Sequence, residues 1–396
     1  MKAGYAFYLA VAAAALSGAQ GDSGCSGNVA TDSQDDVNQI AGCSSYSGNV
    51  EIAESHLPTL VFGNLKSFDG DLLIKNNAQL ATVEFPKLQK FSGRLTFQNN
   101  TRLHSINVDQ LTEVNAFHAI VNPSLSALSF PKGLDNMDTF QILDSSIAKL
   151  DGLAFSKINN FDLYANHNLT DIALKSLTQV GGYISIVNNN ENAAVSLPKL
   201  KSIAQNATFA NLQDLDLSGL ESVDSDLSFH DNGFKNFTVK NLAKIKQSLS
   251  INNNGDLESF SFDALEDIGG NLLVVNNTEI ASFDGFPALV QVKGSIDIRG
   301  SFKEAKFDSL KKVEGGFTVR STESVDCKSL QGAYGKGTTA GKWDCKEKTD
   351  ESEVTSSNTT KGSGSNSAAP AMGPSSWTSA FVGGLSLVVA GLHSYL

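Results

Sequence analysis

The chain has 396 residues, with 30 Lys and Arg against 42 Asp and Glu and a formal net charge of -12. That acidic balance excludes a nucleic-acid partner, which needs a dense basic face. The length suffices for one large or two ordinary domains, and only four Cys are present.

From the N-terminus, Lys2 precedes an apolar run from Ala6 to Leu16 and the small residues Ser17-Gly18-Ala19. This layout predicts a secretory signal peptide over residues 1–19, cleaved after Ala19. Six Asn-x-Ser/Thr sequons, at Asn99, Asn168, Asn206, Asn236, Asn276 and Asn358, then predict N-glycosylation on an exported chain.

The body is a repeat. Leu72-Leu-Ile74-Lys-Asn-Asn77 recurs as Leu95-Thr-Phe97-Gln-Asn-Asn100, Ile184-Ser-Ile186-Val-Asn-Asn189, Leu249-Ser-Ile251-Asn-Asn-Asn254 and Leu272-Leu-Val274-Val-Asn-Asn277. Weaker copies begin at Phe117, Phe140, Phe161, Ala207, Leu227, Ile296 and Phe317, and a thirteenth at Val50. Starts fall 20 to 24 residues apart, with the first and third residues apolar each time. Upstream stands a second apolar corner, as in Phe85, Leu88 and Phe91. One short strand and one corner per period cannot bury a face alone, so the coils must stack.

The expected fold is therefore mainly β, a right-handed parallel β-solenoid of about 12–13 coils over residues 20–348. At ~4.8 Å per rung it is a rod on the order of 60 Å long. The sixth position is Asn in eight coils: Asn77, Asn100, Asn122, Asn166, Asn189, Asn232, Asn254 and Asn277. A column of buried amides serving turn backbone explains them better than a ligand set does. The coils from Phe140 and Phe317 lack that Asn, which predicts local distortion there. Cys25 and Cys43 precede the first coil, and Cys327 and Cys345 follow the last. A front-to-rear bridge would span the rod, far beyond disulfide reach, so Cys25–Cys43 and Cys327–Cys345 are expected as end caps.

Residues 349–366 are rich in Ser, Thr, Gly and Asn and predict an extended, O-glycosylated stalk. Small residues at Asn366-Ser367-Ala368, a polar spacer and an apolar tail from Ala380 to Leu392 predict a GPI signal. Attachment falls at Asn366, with 367–396 removed. The tail is short for a true membrane span and lacks basic flanks.

In this order the residues resemble fungal GPI-anchored cell-wall organisation proteins, related to the sporulation-specific wall proteins and built on receptor L-domain-like leucine-rich coils. The resemblance rests on Cys25-Ser-Gly-Asn, on Ile40-Ala-Gly-Cys43-Ser-Ser-Tyr-Ser-Gly-Asn-Val-Glu-Ile52, on the coils through Val319 and on the closing Cys pair. It implies a non-catalytic role in wall organisation and integrity, at the outer leaflet or in the wall, with wall polysaccharide or surface proteins as partners. One departure from the common leucine-rich pattern is that Leu follows the ladder Asn at the third place, as in Asn77-Ala-Gln-Leu80.

Catalysis is the weaker expectation. His118, Asp162 and Ser185 fall at outward strand positions, but His118 and Ser185 are three rungs apart, too far for a triad. Asp144 and Asp162, on neighbouring rungs, are offset along their strands beyond glycosidase spacing. No His/Cys cluster has metal spacing and no glycine-rich phosphate loop occurs, so neither metal nor cofactor is expected. The alternative is a receptor-like ectodomain binding a glycan or protein. Its candidate surface is the outward stripe Ile120, Leu143, Tyr164, Val187 and Ala210, flanked by His118, Gln141 and Asp162, read as an exposed apolar patch.

Overall fold

The computed structural model describes residues 24–335 and 338–355. The expected signal peptide, the sequon at Asn358, the expected attachment residue Asn366 and the apolar tail lie outside the described residues.

Fifteen strands form the rungs of one parallel sheet, numbered here in chain order. They are β1 (Val29–Thr31), β2 (Val50–Ala53), β3 (Leu72–Lys75), β4 (Lys90–Gln98), β5 (Glu113–Asn122), β6 (Thr139–Ser145), β7 (Asn160–Tyr164) and β8 (Ile184–Val187). The stack continues through β9 (Ala207–Ala210), β10 (Leu227–His230), β11 (Leu249–Asn252), β12 (Leu272–Asn277), β13 (Ile296–Gly300), β14 (Phe317–Ser321) and β15 (Trp343–Lys346). The rod is thus roughly 70 Å from first to last rung at the usual strand spacing. The expected coils are all present, and the caps add two further rungs. β1 pairs with β2, and β15 pairs with β14 through Phe317↔Trp343 and Val319↔Cys345.

The repeat explains the packing. First-position residues such as Leu72, Phe117, Phe161 and Leu249, and third-position residues such as Ile74, Leu163 and Ile251, are fully buried. They point to the inside of the coil because side chains alternate along a strand. The corner residues Phe85, Leu88 and Phe91 close the same core. These corners are themselves strands. Thr82–Glu84 belongs to a second parallel sheet, and eight two-residue strands from Lys157–Ile158 to Lys312–Val313 form a third.

Each main strand from β2 to β12 ends in a turn whose residue takes a left-handed backbone, with φ of 56° at Asn76, 53° at Asn99, 54° at Asn188 and 56° at Asn276. Asn and Asp tolerate that conformation better than other non-glycine residues, which accounts for the fifth-position Asn. The sixth-position Asn turns inward. Asn100 is fully buried; its Oδ1 accepts from the backbone N–H and Nδ2 of Asn77, both at 3.1 Å, and its Nδ2 donates to the carbonyl of Ile74 at 3.0 Å. Each amide therefore satisfies backbone groups that the tight corner leaves unpaired.

One expectation needs correction and another is met in part. In the main sheet the coil from Phe140 is regular: β6 keeps continuous register with β5 and β7, and the Ser145 hydroxyl takes the amide's place by donating to Asn166 Oδ1 at 2.7 Å. Its second-sheet strand, Asp151–Leu153, is distorted as expected, with a register shift against Ala127–Leu134 between Ser129 and Leu134. Register shifts in the main sheet fall between Val114 and Ala116 and between Val275 and Asn277. At Phe317, buried Ser321 donates to the Phe302 carbonyl and fills the corner. The stalk does not begin at Thr349. The Thr349 hydroxyl donates to the Ser321 carbonyl at 2.9 Å, and Val354, in a helix over Glu351–Thr355, is 3% exposed against the last rungs. A single Val supplies the apolar anchor in an otherwise polar stretch, so composition averaged over the segment hides it.

Both disulfides pair as expected, Cys25–Cys43 with Cα atoms 5.6 Å apart and Cys327–Cys345 at 5.8 Å. At the front, helix α1 (Gln34–Gly42) is capped by Ser33, which accepts from Asp35 N–H, and lays Val37 and Ile40 over the first coils. At the rear, helix α2 (Cys327–Tyr334) is capped by Asp326, and Tyr334 packs edge-on against Phe307.

Candidate functional site

The outer face of the main sheet between β5 and β9 gathers the seven candidate residues. Their registers align His118, Gln141, Asp162 and Ser185 in one column and Ile120, Leu143, Tyr164 and Val187 in the next. A third column, before the strand start, runs Ala116, Thr139, Asn160 and Tyr183. All face away from the core, because Phe117, Phe140, Phe161 and Ile184 between them face into it.

The stripe is not uniformly exposed. Tyr164 is 41% exposed, whereas Leu143 is 3% exposed and Ala210 is fully buried. In parallel rungs at regular spacing, identical positions shade one another. Leu143 lies between Ile120 and Tyr164, and Ala210 is too short to emerge beside Val187 and His230. The surface is therefore one projecting aromatic ring on an apolar floor. Among the described residues only Val61 and Tyr164 are exposed large apolar side chains.

Beside the ring lies a closed polar cluster. Asp162 is only 9% exposed. Gln141 Nε2 donates to Asp162 Oδ2 at 3.2 Å, and Ser185 also bonds the carboxylate. Burial raises the Asp162 pKa above the ordinary carboxylate value, and the two hydrogen bonds only partly offset this. Burial, aided by the charge of Asp162, pushes the Tyr183 phenol up to about 12. His118 is half-buried with its Nε2 unpartnered; burial first, then Arg94, lowers its pKa to about 4, against a smaller opposing effect of Asp71. It is a neutral imidazole at neutral pH.

At the second and fourth strand positions, ion pairs stand toward the two ends of the rod. On the front side Lys75 pairs with Glu51 at 3.0 Å. On the rear side Arg299 pairs with Asp297 at 2.8 Å and Arg320 with Asp344 at 2.7 Å. At the second and fourth positions β5 to β9 hold one carboxylate, Asp162, and one imidazole, His118, while Glu113 at the start of β5 pairs with Lys90 of β4 at 2.9 Å.

The cluster does not assemble into a triad. Two full rungs, carrying Gln141 and Asp162, separate His118 from Ser185. Asp144 takes a left-handed backbone near the end of β6, while Asp162 is paired with Gln141 three residues earlier on that strand. Among the described residues no group of His, Cys, Asp and Glu could hold a metal, and no helix is long and apolar enough to cross a membrane.

The sequons scatter around the rod. Asn168 and Asn236 are exposed, and Asn206 is half-buried next to Tyr183 in the third column. Asn99 and Asn276 are half-buried in the turns, where their Nδ2 groups donate to Asn76 and Asn253 at 3.0 and 2.9 Å. Sequence reasoning placed the two columns correctly. It missed the burial of Asp162 and His118, whose only signal was the lack of charge on neighbouring rungs.

No family profile matches the chain, and no solved structure matches it. Curated relatives do. The chain is 29% identical over 338 residues to a cell surface GPI-anchored protein of Arthroderma benhamiae, covering 85% of this chain and 87% of the relative. It is 29% identical over 335 residues to protein ecm33 of Aspergillus fumigatus, covering 84% and 83%. It is 28% identical over 307 residues to the cell surface GPI-anchored protein ECM33 of Candida albicans, covering 77% and 74%.

Proposed function

We propose, from homologues that are fungal GPI-anchored cell-surface and cell-wall proteins, that this chain is a lipid-anchored surface glycoprotein that organises the cell wall without catalysing a reaction. The observation that carries the reading is the similarity over 85% of this chain and 87% of a relative named as a cell surface GPI-anchored protein. Support for a non-catalytic role comes from the outer face, where the acid, base and nucleophile candidates stand on separate rungs. The predicted leader, stalk and attachment signal are consistent with export and anchoring, first in the outer leaflet and then in wall polymer.

Treating intact cells with a phosphatidylinositol-specific phospholipase and then with glucanase tests this reading. The expected result is release of one fraction by each enzyme, together with altered wall composition in cells lacking the gene. Secretion into the medium with neither fraction on the cell, and an unchanged wall on deletion, would overturn it.

A further inference from the structure

The outer face of β5 to β8 has the chemistry of a binding surface for an uncharged polymer. Tyr164 offers an exposed ring, and sugar rings stack on aromatic faces through their C–H bonds, with the phenol as a polar tip. Next to it are two half-buried groups that hydrogen-bond without carrying a formal charge, Gln141 and Ser185, while the unpartnered Nε2 of neutral His118 is itself enclosed. The one carboxylate at the second and fourth positions, Asp162, is more than nine-tenths buried and held by Gln141 and Ser185. It orders the donors above it and presents little charge to solvent.

The charge distribution then selects the ligand class. A chain of net charge -12 leaves the second and fourth positions of this stretch with one buried carboxylate, while ion pairs stand on β2 and β3 toward the front, on β13 to β15 toward the rear, and at the start of β5 between Glu113 and Lys90. At those positions an anionic polymer finds no cation, and a basic peptide finds only a buried carboxylate. Desolvating a charged partner against such a face would cost free energy with no compensating pair. A neutral polyol loses nothing by the absence of charge and gains both stacking and hydrogen bonds. The columns also repeat at strand spacing along the rod axis, so an extended chain can run across successive rungs.

We propose that the face centred on Tyr164, with Gln141 and Ser185, binds an uncharged polysaccharide chain of the cell wall. The proposal rests on the wall role proposed above and gives it a ligand class.

The test is retention of the secreted, glycosylated ectodomain on insoluble β-1,3-glucan and on chitin, with alginate as the anionic comparison. Each is measured at low salt and at ~1 M salt, where the Debye length is only ~3 Å. The expected result is retention on a neutral polymer that survives high salt. Tyr164→Ala should weaken it by roughly tenfold or more, as for an aromatic anchor, whereas Tyr164→Phe retains most of it. Both variants should keep the wild-type thermal transition, because the ring is exposed. Failure to bind either neutral polymer overturns the proposal, as does binding indifferent to Tyr164→Ala, or binding confined to alginate and lost in salt. Retention on wall extract that persists after its glycans are stripped points to a protein partner and also overturns it. If the protein is still released from cells by phospholipase and glucanase in any of these cases, the wall role stands and only the ligand assignment falls.

Discussion

Asn232 Nδ2 donates to Asn254 Oδ1 at 2.9 Å, and the same oxygen accepts the Asn232 backbone N–H at 3.0 Å. Asn254 in turn donates to the Phe229 carbonyl and to Asn277 Oδ1, at 3.3 and 3.0 Å. Replacing Asn254 with Ala orphans two buried donors on Asn232 and a buried carbonyl on Phe229. With ~1–3 kcal/mol for each unsatisfied group, Asn254→Ala should destabilise by about 3 kcal/mol or more in denaturant titration. Asn188→Ala, at the half-buried turn position, should cost far less.

Val121 is a β-branched residue with φ of 54°. In the equivalent turn Asn99 has φ of 53° and reaches back to Asn76 at 3.0 Å. Val121→Asn should relieve strain and lengthen that outer row, stabilising by about 1 kcal/mol. The readout is an upward shift of the thermal midpoint; a fall would mean that the Val methyls contribute more than the strain costs.

His118 makes stability depend on pH. Its folded pKa, about 4, lies below the ordinary value of 6.5. Between those two values the unfolded chain binds a proton that the folded chain does not, so stability rises with pH across that window. The contribution is complete above 6.5 and is lost as pH falls toward 4. At ~1.4 kcal/mol per pKa unit, reduced by partial solvent access, the loss is on the order of 2 kcal/mol. The raised pKa of Asp162 acts in the opposite direction. The difference between wild type and His118→Gln isolates the imidazole, and this difference should shrink as the solution is acidified from pH 7 to 4.

At the rear cap, Cys345 belongs to the last rung and Cys327 opens α2, so the bridge closes an interval of 18 residues. Cys327→Ser with Cys345→Ser should cost ~2–5 kcal/mol, as for native bridges generally. Amide exchange should accelerate first at Trp343–Lys346, while exchange in β7 stays slow because each coil depends mainly on its neighbours.

The rungs could be read from residue type because the apolar first and third positions recur where the backbone alternates. Leu272 and Val274 declare one rung, and Phe262, Leu265 and Ile268 declare its corner. β1 and β15 were hidden because Val29-Ala-Thr31 is too short to show a period and Trp343-Asp-Cys345-Lys lacks the ladder Asn. The fifth-position Asn was visible as a letter, but its left-handed turn was not, since Val121 and Ala165 adopt the same conformation with no sequence signal. On the candidate face, strand parity correctly put Leu143 outward. That it is nevertheless buried depends on Ile120 and Tyr164 in adjacent coils, more than 20 residues away in each direction. Pattern along one strand carries no information about that shading.

The amide row is interrupted twice. Ser145 follows Asn122 and Leu212 follows Asn189; neither offers a carboxamide oxygen to the coil before it. The hydrogen bonds between rungs run along the rod, so tension applied end to end loads the coils in series, like links of a chain. Such a member yields at its weakest links and spares the rest. The two joints without an amide are therefore where the rod should open under pull, leaving three shorter blocks intact: Ser55 to Asn122, Ser145 to Asn189, and Leu212 to Asn277. Tyr164 stands on the middle block, so a surface polymer held there would be gripped between the two yielding joints.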